Sequence, residues 1–192
     1  MKHNEQSQQT KQELSSALKK LMETKPLNRI TIRELVEACG VNRKTFYYHF
    51  EDIYSLLKWT LEQEAISHFE HYDLVIDNVS AMEFVMDYIS DNMAMLQNIV
   101  HSIGRSELAL FFFKDIYTPV HRLVCEVEKL NGLTVDEGYK AFLSKCLTEA
   151  IAGVLLDCIE HNALAHRQQL SVYITDTLSA AIPNALKSAA NH

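Results

Sequence analysis

The chain has 192 residues, 47% of them hydrophobic and 22% charged, with a net charge of −7. That is enough apolar material for one compact domain or two small ones. Five glycines and three prolines are too few for a turn-rich all-β fold, or for the glycine loops most α/β nucleotide enzymes need.

Leu14, Ala17, Leu18, Leu21 and Met22 follow i, i+3, i+4, i+7, i+8, the apolar face of a first helix that Lys25-Pro26-Leu27-Asn28 breaks. Thr31-Ile-Arg-Glu34 is a capping box, in which the Thr oxygen and the Glu carboxylate satisfy free amides at a helix start. The second helix is short, because Cys39-Gly40-Val41 follows within two turns and Gly40 supplies a left-handed cap. Asn42 caps a third helix running to about Phe50. Asp52 opens a long fourth one with Ile53, Leu56, Leu57, Leu61, Ala65 and Phe69 inward.

A polar connection, His71 to Val79, precedes a second capping box at Ser80-Ala-Met-Glu83. Helical stretches follow through Phe84–Ile89, through Met93–Ile103 and from about Ser106 to Leu130, with Pro119 as a kink or break. A third capping box, Thr134-Val-Asp-Glu137, opens a helix to about His161, and a last helix runs from about Ala165 toward Ala189. No segment carries a strand pattern. The expected fold is all-α, about nine helices: a three-helix helix-turn-helix head over residues 1–50 and a helical body over 51–192.

The head carries the functional signal. Ile32, Leu35, Val41, Phe46 and Phe50 pack two short helices on the first, which leaves Asn42, Arg43, Lys44, Thr45, Tyr47, Tyr48 and His49 mostly outward. Cations, amides, hydroxyls and rings on one exposed helix are the groups that read base edges and grip phosphates. Charge agrees: residues 1–60 carry 10 Lys and Arg against 7 Asp and Glu, residues 61–192 carry 8 against 18. A basic head on an acidic body suits a head that touches a polyanion and a body that stays off it.

The segment Thr31-Ile-Arg-Glu-Leu-Val-Glu-Ala-Cys-Gly-Val-Asn-Arg-Lys-Thr-Phe-Tyr-Tyr-His-Phe50 resembles the DNA-binding signature of TetR-family transcriptional regulators. Its Gly-Val-x-x-x-Thr-Phe-Tyr-x-His-Phe core is highly specific, and the resemblance covers about residues 12–60. The aromatic run Leu108–Tyr117 and the Phe-Glu-Asp-Ile-Tyr-Ser-Leu-Leu junction are similar to a Firmicute-type subgroup that includes the DhaS-like regulators. The resemblance implies that Thr31 and Arg33 face the DNA backbone and that Asn42, Arg43, Lys44 and Thr45 read bases. It implies that Tyr47 and His49 contact phosphates or thymine methyls and that Tyr48 touches DNA. It also implies a body that dimerises and binds an inducer. Many members have a lysine where this chain has Ile53, so one phosphate contact per head is missing.

In the body, Phe84, Tyr88, Met95, Phe112, Tyr117 and His121 are candidates for an effector pocket, although aromatic and Met stripes also build cores. His121/Cys125, Cys158/His161 and His68/His71 sit at helical spacing, yet no local motif holds a full ligand set, so no metal or cofactor is expected. Cys125, Cys146 and Cys158 read as buried small apolar residues. Two Ser-x-x-Lys matches lack their companion motifs, and no enzyme is expected. Phe142, Leu143, Leu147, Ile151, Val154 and Leu155, with Tyr173, Ile174, Leu178 and Ile182, give the last two helices broad apolar faces. These pack in cis or pair with a twin, and the resemblance favours the dimer.

The polar start MKHNEQSQQTKQE has no signal-peptide core, no apolar run is long enough for a bilayer, and the four cysteines form no C-x-x-C pair. The expectation is a cytoplasmic homodimeric regulator on a pseudo-palindromic double-stranded DNA operator, a repressor released by an effector bound in the body. The alternative is an activator or interaction module controlled by a partner protein.

Overall fold

The computed structural model of the protein describes residues 2–69, 78–163 and 167–191. The all-α expectation is met. Among the described residues the elements are α1 (Lys2–Met22), a 3-10 turn (Leu27–Arg29), α2 (Ile32–Cys39), α3 (Arg43–His49), α4 (Ile53–Phe69), α5 (Asn78–Asp91), α6 (Met93–Ile103), α7 (Arg105–Leu130), α8 (Glu137–His161) and α9 (Arg167–Ala189). None of these helices is long and apolar enough to cross a membrane.

Two compact units emerge. The first joins residues 1–67 with 94–108, and the second joins 68–93 with 109–192. The first therefore runs past residue 50 and takes in most of α4 and, from further along the chain, α6. Its core is Leu14 and Leu18 of α1, Leu35 of α2, Phe46 of α3, Leu56 and Leu57 of α4, and Leu96 and Ile99 of α6, each no more than 1% exposed. The i, i+4 spacing of the α1 pair and the i, i+3 spacing of the α6 pair line each along one face, so short helices gain stability from burial they could not gain alone. The side chains of Ala65 and Phe69, and the connection beginning at His71, lie outside the described set.

Local signals set the helix ends in this unit. Gly40 takes a left-handed φ of 65°, and the Val41 N–H reaches back to the Val36 carbonyl at 3.0 Å, which closes α2 and turns the chain into α3. Asp52 Oδ1 accepts the Ser55 N–H at 2.7 Å while Ser55 Oγ accepts the Asp52 N–H at 3.1 Å, a reciprocal cap on α4.

In the second unit α9 packs on α5 and α8. A buried ion pair fixes the corner between α7 and α8: Lys140 Nζ donates to Glu128 Oε2 at 2.7 Å and to Glu137 Oε1 at 2.7 Å. Glu128 Oε1 also accepts the Val135 N–H at 2.8 Å, so both its oxygens are used. The Lys140 hydrogen bond is the main reason the Glu128 carboxyl is held below its ordinary range, and Lys140 is in turn raised, chiefly by Glu128.

That corner corrects one expected cap. Val135 is buried and tied to Glu128, so α8 starts later, with Asp136 Oδ2 accepting the Tyr139 N–H at 3.0 Å in place of a Thr134 cap. Ser80 likewise lies inside α5, which begins at Asn78. A Ser-x-x-Glu pattern suits a first helical turn as well as a cap, and buried Ala81 gives the earlier turn something to pack. Pro119 does not break α7, which runs through it from Arg105 to Leu130. Burial of Val120, Leu123 and Val124 just beyond it offsets the lost rung.

Phe46 is 0% exposed and Tyr48, two residues on, is 71% exposed. Phe46→Ala is expected to destabilise the first unit by roughly 3–5 kcal/mol. Tyr48→Ala should change stability by less than about 0.5 kcal/mol. Denaturant titration followed by fluorescence of Trp59, the single tryptophan and a neighbour of Phe50 at 5.8 Å between rings, distinguishes the two.

Candidate nucleic-acid interface

The start of α2 is held by one carboxylate. Glu34 Oε2 accepts the Thr31 N–H at 2.9 Å and the Thr31 hydroxyl at 2.7 Å, Thr31 Oγ1 accepts the Glu34 N–H at 3.3 Å, and Glu34 Oε1 is paired with the Lys25 ammonium. The Lys25 hydrogen bond, followed by those from Thr31, pulls the Glu34 carboxyl down to about 2. Arg33, in the first turn of the helix, is exposed and donates from Nε to Glu37 Oε1 at 2.7 Å. Hydrogen bonding and charge from Glu37 raise the guanidinium further.

α3 is capped by Asn42, whose Oδ1 accepts the Thr45 N–H at 2.9 Å and the Thr45 hydroxyl at 3.3 Å. The Asn42 amide NH2 stays directed to no partner in that cap, so the residue caps the helix and keeps donors for a base edge. Arg43 and Lys44 are exposed and form no salt bridge among the described residues. Tyr47 is 58% exposed and meets buried Phe46 edge-on, ring centroids 5.6 Å apart. Tyr48 meets half-buried His49 in the same way at 4.9 Å. Burial, and then the Lys11 cation, push the His49 imidazole below its ordinary value, so it is neutral at neutral pH and offers a hydrogen bond without charge.

The structure brings Asn42, Lys44, Thr45, Tyr48 and His49 together along one groove of about 560 Å³. Gln6, Ser7 and Thr10 of α1 form its other wall. Sequence reasoning missed these three because it followed the apolar lane of α1. Their i, i+1, i+4 spacing on the opposite, polar face was the available signal. Thr31, Arg33, Arg43 and Tyr47 lie outside that groove's lining, on the exposed starts and faces of α2 and α3. Ile53, at the start of α4, is half-buried.

Residues 14–58 match the family described as bacterial regulatory proteins, tetR family. Residues 79–180, more than half of the chain, match that of a transcriptional regulator C-terminal region. The chain belongs to the TetR family. It is 20% identical over 156 residues to the HTH-type dhaKLM operon transcriptional activator DhaS of Lactococcus lactis subsp. lactis (strain IL1403), covering 78% of this chain and 79% of that protein. A solved structure titled dihydroxyacetone kinase operon activator DhaS superposes with a TM-score of 0.73 at 19% identity, over 90% of this chain and 96% of that one. At this identity the structural likeness speaks for the fold alone.

In this TetR-family body the residues named for an effector pocket are dispersed. Phe84 and Tyr88 are half-buried on α5, and Phe112, Tyr117 and His121 are half-buried on α7. Met95 is buried on α6, in the other unit. A small apolar cavity of about 60 Å³ opens instead between aliphatic lanes, with Val85, Ile116, Pro119, Ile151 and Leu178 among its walls. None of the six lines it. On α7 the aromatic lane, Phe113, Tyr117 and His121, stacks upon itself at 5.6 Å steps and runs beside the cavity-facing lane of Ile116, Val120 and Leu123.

His121 is oriented by Ser144. The Ser144 hydroxyl spends its proton on the Lys140 carbonyl at 2.7 Å, so it accepts from His121 Nδ1 at 3.0 Å, and Nε2 faces Cys125 Sγ at 3.7 Å. All four cysteines are free; Cys158 is buried as expected, Cys125 is half-buried and Cys146 is exposed. Cys146 sits on the outward side of α8 between Phe142 and Ala150, which explains the difference. Asp157, Glu160 and His161 place three ligand atoms within 4.8 Å of one another on the α8 surface. Exposed acidic groups commonly gather so without a metal. The side chains of His68 and His71 lie outside the described set.

A carboxyl held at about 2, against an ordinary 4.5, favours the ionised folded state. Its stabilisation is complete above about pH 4.5 and is lost as pH falls through about 2. Thermal unfolding of the wild type should therefore weaken over that window, and Glu34→Gln should flatten that part of the profile. Parallel profiles for the two proteins would refute the assignment.

Proposed function

We propose that the protein is a cytoplasmic homodimeric regulator that binds a pseudo-palindromic operator, with α3 lying in the major groove of each half-site. The observation that carries this is α3 itself: seven residues, capped and pinned by Phe46, with Asn42, Arg43, Lys44, Tyr47 and Tyr48 all turned outward. Arg43, Lys44 and Thr45 read bases; Arg33, Tyr47 and His49 hold the backbone. One small head makes few phosphate contacts, and a twin on a twofold axis doubles them. Exposed Phe142 and Val154 on α8 and Tyr173 on α9 supply apolar surface for that pairing. Binding over a promoter represses, and an effector in the second unit releases the operator by favouring a non-binding arrangement.

A second reading is favoured by one observation. The apolar cavity beside α7, about 60 Å³, is far below the roughly 300–1,000 Å³ of drug-sized ligand pockets. The larger hollow of about 600 Å³ that Val154, His161 and Tyr173 help to line is an open surface groove, a shape that suits a partner protein. The L. lactis relative is named an activator, and activation through a partner is that second reading.

The test is binding of the purified protein to its own upstream DNA across a salt series. Two heads with 6–10 phosphate contacts in all should lose on the order of 10³–10⁵ in affinity between 50 and 200 mM salt. Lys44→Ala with Tyr47→Ala should abolish specific binding. Singly, Lys44→Ala and Thr45→Ala should shift the sequence selected from random pools, while His49→Ala weakens every sequence alike. Equal losses on all sequences for the three would sink that division of roles. Light scattering on Phe142→Asp/Val154→Asp should report a monomer. In vitro transcription with and without cell extract decides between repression and partner-dependent activation.

A further inference from the structure

Asn98 of α6 is bonded to the segment that leads into α2. Its Oδ1 accepts the Leu27 N–H at 2.8 Å, and its Nδ2 donates to the carbonyls of Met22 and Lys25, each at 2.8 Å. Ser102 adds a hydroxyl to Oδ1 at 3.1 Å. These partners fix the amide orientation, since a flipped amide would set its oxygen against two carbonyls and its NH2 against an N–H donor. An aspartate in its place lacks both donated bonds, and an aliphatic residue lacks all three.

Lys25 joins this clamp to the recognition module. Its carbonyl is held by Asn98 and its ammonium by Glu34, the same carboxylate that closes the Thr31 cap of α2. From α6 to the start of α2 the chain of contacts Asn98–Lys25–Glu34–Thr31 is continuous, and the Gly40 turn carries it on to α3. The backbone passes between the two units at 67/68, 93/94 and 108/109, so the first-unit segment holding α6 is tethered to the second unit at both ends. A displacement of α6 therefore pulls on the loop before α2 through hydrogen bonds, which tolerate a few tenths of an ångström and little more.

We propose that Asn98 is a positioning residue for DNA recognition, holding α2 and α3 in their reading pose through Lys25 and Glu34. This deepens the function proposed above and rests on α3 being the DNA-reading helix. Asn98 touches no DNA. It works through a relay whose links are in series, so breaking any one link disconnects the rest.

A double-mutant cycle on the full-length protein tests this, with two readouts. Asn98→Ala removes the clamp, and Lys25→Met keeps the stem while removing the ammonium. Each alone should weaken operator binding about tenfold, and the double mutant should lose no more than about tenfold as well. Hydrogen exchange of the 31–36 amides, measured without DNA, should rise to the same extent in all three variants. Ile99→Val thins the core contact of α6 without touching the relay and should leave affinity within about twofold. Losses that multiply to about a hundredfold, or affinity loss with unchanged exchange at α2, would overturn the relay. Should Asn98→Ala fail to fold, Asn98→Asp, which keeps the Leu27 bond, enters the same cycle with the same expectations. If the wild type binds no DNA, the function proposed above fails, and the exchange data alone still decide whether Asn98 and Lys25 act as one unit.

Discussion

Helices of eight and seven residues, the lengths of α2 and α3, are below the length at which an isolated helix holds itself in water. The reading surface therefore exists only because something else makes these helices. Two agents do so: the caps at Thr31, Gly40 and Asn42, which satisfy the end amides and carbonyls, and the burial of Leu35 and Phe46 as α2 packs on α1 and α3 on α2. Every outward side chain of α3 takes its direction from the anchoring of Phe46, since the helix has barely two turns in which to drift. Alternation between a buried ring at Phe46 and open ones at Tyr47 and Tyr48 is what lets a short element be both core and surface.

The second unit solves a different problem with a different interaction. Its helices are long enough to persist, and what needs fixing is the corner between α7 and α8. There the chain places an acid and a base out of water, which is favourable only when both are fully engaged. Glu128 meets that condition by accepting from Lys140 and from the Val135 backbone, and Lys140 by donating also to Glu137. Removing any one of these partners would leave a charge or an amide at that corner without its hydrogen bond.

How much of this was legible in the sequence depends on how local each signal is. Thr31 with Glu34, Gly40, Asn42 and Asp52 act on amides within four residues, and each was readable from its neighbours. The Thr134 cap was misread because what displaces it is the burial of Val135 against Glu128, seven residues back and across a turn. Pro119 was expected to kink or break its helix because the cost of a missing rung is local; it does not break it, and the packing that offsets that cost comes from residues the local pattern does not name. The outward residues of α3 were legible from periodicity, but the wall that Gln6, Ser7 and Thr10 add was not, since it depends on how α1 lies beside α3. Asn98 was invisible: its partners are 71 to 76 residues away, and an asparagine in mid-helix otherwise reads as a surface residue.

Pro119 has a mechanical consequence. It lies in an unbroken helix and also forms part of the wall of the small apolar cavity. A proline has no N–H, so the ladder of α7 lacks a rung on the stretch that borders the void. Bending stiffness in a helix comes from that ladder, and a kink costs least where a rung is already gone. If the cavity widens, α7 will yield first at this point, like a beam notched where its load is applied.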